Sequence, residues 1–178
     1  MDVPRILVTG GCGFLGSEVV KRLIETKKYR VTAIDITPPS LGTEISSDVR
    51  YVRANILSLG ELNKVFAEAR PSIVVHTAGI VPAGSVRYHQ KGKEAVFQVN
   101  VDGTRNVIQA SKESGAKGLV FTSSVTVLVD ELGRDFRNGN EEWPTGRASL
   151  VYGQSKVSGL FSKSRCIRSP TFTYGECG

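Results

Sequence analysis

Tyr152-Gly153-Gln154-Ser155-Lys156 sets a phenol and an ammonium four positions apart. On a helix that spacing puts both on one face. A neighbouring cation favours phenolate, so the Tyr152 pKa is expected to fall toward working pH. A phenol tuned in this way exchanges a proton with a substrate hydroxyl or carbonyl. A second hydroxyl comes from Phe121-Thr122-Ser123-Ser124, where a strand-like run ends. Alternation points Ser123 and Ser124 differently, and Ser124 is the better candidate to hold the substrate oxygen while Tyr152 moves the proton. Asn100 lies within Val99-Asn100-Val101-Asp102-Gly103, inside a helical pattern. Asn is a poor helix former, so its place there implies a tertiary role, such as holding a water chain to Lys156. A helix cap or kink is the alternative.

A different chemistry is written near the start. Thr9-Gly10-Gly11-Cys12-Gly13-Phe14-Leu15-Gly16 carries glycines at 10, 13 and 16, between a strand and a helix. In such a loop the first glycine permits a tight turn, the second lets backbone approach a pyrophosphate, and the third lets the helix pack closely. The free N–H groups of the helix N-terminus then meet phosphate oxygens. Asp35 ends the next strand, 19 residues after Gly16. A carboxylate there accepts hydrogen bonds from ribose hydroxyls and repels the 2′-phosphate of NADP. Ile36 and Thr37 come next, so no adjacent arginine offsets that repulsion. Cys12 sits in this loop, where the helix N-terminus is expected to lower its pKa.

These residues need elements to hold them. Strands are expected at 5–9, 31–34, 49–52, 73–76 and 118–123, from short apolar runs bounded by Gly, Pro and polar residues. Helical periodicity runs through 14–26, through a segment capped by Ser58, through 93–114 and again from Val151. Residues 129–150 read as a loop. Strands alternating with helices predict an α/β fold with a doubly wound parallel sheet. Strand ends at the carboxyl edge of such a sheet bind ligands, which is where Ser124 falls.

The chain has 178 residues with 40% hydrophobic and 22% charged, enough for one domain with a core. Its net charge is +6, but the basic residues are scattered without an aromatic-laced stripe. That argues against a nucleic-acid partner and for attraction to anionic small molecules. No apolar run approaches a membrane span. Cys12, Cys166 and Cys177 form neither a disulfide framework nor a zinc pattern, so no metal is expected and a reducing, cytoplasmic compartment fits. His76 reads as a strand-end core residue, His89 as solvated, and Trp143 as packing a loop.

Taken in order, TGGCGFLG, Asp35, His76-Thr77-Ala78-Gly79, Asn100 to Val107, Phe121-Thr122-Ser123-Ser124 and Tyr152 to Lys156 resemble the extended short-chain dehydrogenase/reductase family. The resemblance runs from Arg5 to Lys156. Phe121 to Val125 and Asn140-Glu141-Glu142-Trp143-Pro144 are most similar to its 3β-hydroxysteroid dehydrogenase branch, which includes sterol-4α-carboxylate 3-dehydrogenases. The resemblance implies a Rossmann-type fold and NAD-linked oxidation of a 3β-hydroxyl on a small sterol-like molecule. Ser124, Tyr152 and Lys156 would be catalytic, with Asn100 in support. Gly10, Gly13, Phe14, Leu15, Gly16, Asp35, Asn55, Ile56, Ala78, Gly79, Tyr152 and Lys156 would hold the cofactor. Asn55 stands where many relatives carry Asp against adenine. Full-length relatives are associated with the endoplasmic reticulum, and a homodimer stays open. A nucleotide-sugar epimerase or dehydratase on the same scaffold, or an impaired NAD-binding fragment, are the alternatives. Val125 and Thr126 supply no acid beside the serine, which argues against a dehydratase.

The end of the chain departs from the family. Residues 1–161 are expected to form the dinucleotide-binding domain, and 162–178 an irregular, truncated segment without a substrate lobe. The Tyr–Lys helix is expected to stop near Gly159. Arg168 to Gly175 resembles the family's R-P-x-x-x-Y-G segment brought too close, so a sixth strand over 165–172 is expected to pair poorly. Marginal stability, weak NAD binding and negligible sterol turnover are the resulting expectations.

Overall fold

Arg5–Thr9 (β1) is a run of apolar residues whose alternate side chains bury on opposite faces. Leu7 joins one core, and Ile6 and Val8 the other. Both faces are covered, which is why the strand reads as continuously hydrophobic rather than alternating. The computed structural model describes residues 3–39, 46–82, 92–128, 148, 150–166 and 173–177, with the backbone alone for 160–166 and 173–177. Trp143, His89 and, but for 148 and 150, the expected 129–150 loop lie outside the described residues.

The remaining elements, in chain order, are α1 (Phe14–Glu25), β2 (Arg30–Asp35), β3 (Val49–Arg53), α2 (Leu59–Ala69), β4 (Ile73–His76), α3 (Lys93–Phe97), a π-helical turn (Gln98–Gly103), α4 (Thr104–Glu113), β5 (Gly118–Thr122), a 3-10 turn (Val125–Val127), α5 (Val151–Cys166) and β6 (Thr173–Cys177). The sheet is parallel in every pair, in the order β3-β2-β1-β4-β5-β6. Strand order reverses between β1 and β4, which opens a crevice at their carboxyl ends.

Local chemistry explains the boundaries. Ser58 Oγ accepts from Glu61 N–H and starts α2. Leu62, Val65, Phe66 and Ala69 form its buried face. Burial of a Leu or Phe of this kind contributes about 1.5–3 kcal/mol. These side chains share a core with Leu7, Ile34, Val74, Leu119 and Phe121 of the sheet and Val107 and Ile108 of α4. On the other face, α1 lays Val20 against Ile6, Val8, Val31 and Ala33.

Two expectations change. The helix expected over 93–114 is broken into α3, the π turn and α4. The helix expected to stop near Gly159 continues to Cys166, and a sixth strand then pairs with β5 from Gly118↔Thr173 to Thr122↔Cys177. That strand starts downstream of the 165–172 segment expected for it, and the longer helix supplies the length the crossover needs.

Candidate functional site

The β1–α1 loop turns at Gly10, whose φ of +69° only glycine adopts without strain. A Cβ there would also meet the Ala78 backbone at 2.7 Å. At Gly16 a Cβ would stand 2.0 Å from the Gly10 carbonyl oxygen, so the first turn of α1 can only close on the loop without a side chain. Helix α1 follows Gly13 as its N-cap, with no side-chain cap and no acid in its first turn. Its leading N–H groups and the positive end of its dipole are left for an anion. Gly11 is equally confined: a Cβ would lie 2.7 Å from Ala33 Cβ. The glycine spacing alone did not single it out.

Asp35 is held in place before any ligand arrives. Its Oδ2 accepts from Cys12 N–H at 3.1 Å, and Oδ1 accepts from the backbone N–H and hydroxyl of Thr37 at 3.1 and 3.2 Å. Asn55 Oδ1 accepts from Leu57 N–H, and Asn55 N–H donates to Glu61. The Cys12 thiol corrects an expectation: its pKa is raised, first by burial and then by the Asp35 charge, so the helix N-terminus does not make it a thiolate.

At the other end of the crevice, Asn100 is 1% exposed and sits in the π turn. Its Oδ1 accepts from Ile80 N–H at 2.8 Å, and its Nδ2 donates to Ile80 O at 2.9 Å and to Ser155 Oγ at 2.9 Å. It thus clamps the chain leaving β4 and ties it to α5. The sequence marked Asn100 correctly as a tertiary residue, but its partners are Ile80 and Ser155. Ser155 is fully buried and donates to Tyr152 O at 2.7 Å. The sequence reading missed it, since a serine inside a helical motif carries no signal of its own.

Lys156 is 5% exposed; its Nζ donates to Thr122 O at 3.1 Å and lies 5.0 Å from the Phe121 ring centre. It stands over the Tyr152 ring at 5.7 Å from the centre. The expected lowering of the Tyr152 pKa by this cation is corrected. Burial raises the phenol pKa, and the opposing pull comes from a hydrogen bond with Ser124. Ser124 also caps the 3-10 turn, accepting from Thr126 N–H and Oγ1–H. Ser123, the less favoured serine, lines the crevice itself.

One cleft of about 510 Å³ gathers these groups, a volume suited to a small organic ligand. Gly10, Gly13, Phe14, Leu15, Gly16, Asp35, Asn55, Ile56, Ala78, Gly79, Tyr152 and Lys156 all line it. Asn100 and Ser124 are not among the residues that line it. Among the described residues no group of three or more His, Cys, Asp or Glu side chains is gathered for a metal ion. Among them too, no helix is long and apolar enough to cross a membrane.

Comparison with known proteins gives a consistent set of relatives. The sequence model described as the 3-beta hydroxysteroid dehydrogenase/isomerase family matches residues 7–158. The decarboxylating sterol-4-alpha-carboxylate 3-dehydrogenase of Schizosaccharomyces pombe is 32% identical over 159 residues, covering 88% of this chain and 44% of its own length. Human 3 beta-hydroxysteroid dehydrogenase type 7 is 31% identical over 192 residues, covering 96% and 50%. Among solved structures, the Thermus thermophilus UDP-glucose 4-epimerase complex with NAD superposes with a TM-score of 0.82 at 27% identity, covering 97% of this chain and 53% of that one. The chain therefore spans about half the length of the relatives it matches.

Proposed function

Because the chain belongs to the 3-beta hydroxysteroid dehydrogenase/isomerase family, we propose that its cleft binds NAD and oxidises the 3β-hydroxyl of a sterol-like alcohol. The observation that carries this reading is convergence. The uncapped α1 N-terminus and Asp35 stand at one end of a single cleft, and Tyr152 with Lys156 stands at the other. The first pair suits a pyrophosphate and a ribose, and the second a reacting oxygen.

The residues fit the cofactor. Gly10, Gly13 and Gly16 would give its phosphates a close approach to backbone N–H groups, and Asp35 would take ribose hydroxyls. Lys156, which lines the same cleft, would take hydroxyls of the second ribose. When bound, NAD would accept a hydride from the carbinol carbon. The proton belongs to the chain: Tyr152 Oη takes it from the substrate hydroxyl, while Ser124 holds the phenol by a hydrogen bond. Since burial raises the Tyr152 pKa, the resting phenol is protonated and is a proton donor to a ketone; in the oxidative direction it first releases that proton to solvent, and the phenolate then takes the proton of the substrate hydroxyl.

Titration calorimetry of the chain with NAD and with NADP tests the cofactor. Saturable binding that favours NAD, and that is lost in Gly16→Ala, is expected. Tighter binding of NADP would refute the role of Asp35. Turnover tests the substrate: a 3β-hydroxysteroid supports this reading. UDP-glucose epimerisation would favour the second reading, to which the likeness with the Thermus thermophilus enzyme points.

A further inference from the structure

His76 ends β4 and is fully buried, yet nothing in the proposed reaction uses it. Both ring nitrogens meet threonine hydroxyls: Nδ1 lies 2.6 Å from Thr9 Oγ1, and Nε2 lies 2.9 Å from Thr104 Oγ1. The tautomer can be read from the partners. Thr104 Oγ1 donates to the carbonyl oxygen of Asn100 at 2.8 Å, which can only accept. A hydroxyl has one proton, so Thr104 must accept from His76, and Nε2 carries the hydrogen. In the neutral ring Nδ1 is then bare and accepts from Thr9 Oγ1–H. Thr9 Oγ1 in turn accepts from Ala78 N–H at 3.4 Å.

These bonds run in one direction through the interior. Thr9 is the last residue of β1 and the entry to the glycine loop. Asn100 is in the π turn and grips Ile80 and Ser155, and Ser155 grips the Tyr152 carbonyl. The hydroxyl and imidazole groups join strand ends and helices that lie 28 and 67 residues apart in sequence.

We propose that His76, in its Nε2–H tautomer, is a positioning residue that fixes the glycine loop against the π turn, and through Asn100 and Ser155 against the Tyr152–Lys156 helix. A histidine held for its volume alone would not need either nitrogen oriented. The tautomer stands on the hydrogen bonds alone; the effect on ligand affinity rests on the proposed binding of NAD.

The test has two readouts on the 178-residue chain. In ¹⁵N-labelled protein, long-range imidazole spectra report the tautomer directly. The chain has two histidines, and the signal lost in His76→Gln is assigned to this one. A single Nε2–H tautomer is expected. An Nδ1–H form, or a rapid mixture, overturns the relay. The second readout is NAD affinity. His76→Gln keeps a donor near the Nε2 position and should bind within a few-fold of the unaltered chain. His76→Asn and His76→Leu remove the donor that Thr104 Oγ1 accepts from and should weaken binding on the order of tenfold, the size of one buried hydrogen bond. Where the Leu variant does not fold, the Asn-against-Gln contrast decides. Equal affinities in those two overturn the positioning role. If the unaltered chain does not bind NAD, the positioning role and the function both fall, while the spectrum still decides the relay.

Discussion

Tyr152 shows how far a residue's neighbours set its chemistry. Four-residue spacing to a lysine suggested a lowered pKa, but burial wins, and the pull back comes from the Ser124 hydroxyl. The phenolate of Tyr152 should therefore appear in the ultraviolet only above pH 10, the usual tyrosine value. Because the folded pKa lies above the unfolded one, the stability this group contributes is intact below pH 10 and is lost as pH rises through the folded value. Tyr152→Phe should remove that alkaline loss, and comparing denaturation midpoints of the two chains across alkaline pH checks it. In any form with measurable turnover, the same substitution should cost about 10²–10⁴-fold in rate with cofactor affinity nearly unchanged. More than a tenth of the rate surviving would remove Tyr152 from its role. Asp35 is set by its neighbours in a different way, since Cys12 and Thr37 already fix both oxygens. Asp35→Ala should weaken NAD binding and narrow its preference over NADP, read by parallel titrations.

Among the elements, the π turn has the most consequence for the site. Asn100, Asp102 and Gly103 are weak helix formers, and they fall where the α pattern gives way. Such turns recur at functional sites. Gly79 lies against it: a Cβ there would sit 3.1 Å from Asn100 Oδ1 and 3.5 Å from Lys156 Nζ. Gly79→Ala should therefore push on the clamp and the lysine together. Asn100→Ala should do worse, since it leaves the Ile80 backbone groups and Ser155 without this partner. Each lost hydrogen bond of this kind costs about 0.5–1.5 kcal/mol. Denaturant midpoints of the two variants check the order. The strand at 73–76, the Ser58 cap and the glycine loop were all legible in the sequence, because each depends on residues close together in the chain. The π turn was not, since one extra residue in a helical pattern barely alters an apolar period. The end of α5 departs from expectation for a related reason: Ser162 to Arg165 breaks the apolar period, yet the helix passes through it. Ser155, Thr104 and the two-sided bonding of His76 were illegible as well, because their partners come from distant strands and helices.

At the scale of the whole molecule, the cleft belongs to two halves of one sheet. The glycine loop and Asp35 come from β1 to β3, and Asn100, Tyr152 and Lys156 from the elements beyond β4. A ligand that binds only the folded chain should raise its stability by about 2.7 kcal/mol at a hundred times its dissociation constant. Thermal unfolding with NAD, against an equal concentration of NADP, checks this; equal shifts would mean the cleft does not distinguish them. The fold's reversal of strand order gives this ligand a mechanical sense as well. The two halves meet along the ladder from Ile6↔Ile73 to Thr9↔His76, with α2 packed on α4 behind it. A dinucleotide bound across the top of that ladder, as proposed, would act as a staple over a seam. Amide hydrogens of β1 and β4 should then be the ones whose exchange slows most on binding, while those of the outer strands β3 and β6 open almost as before.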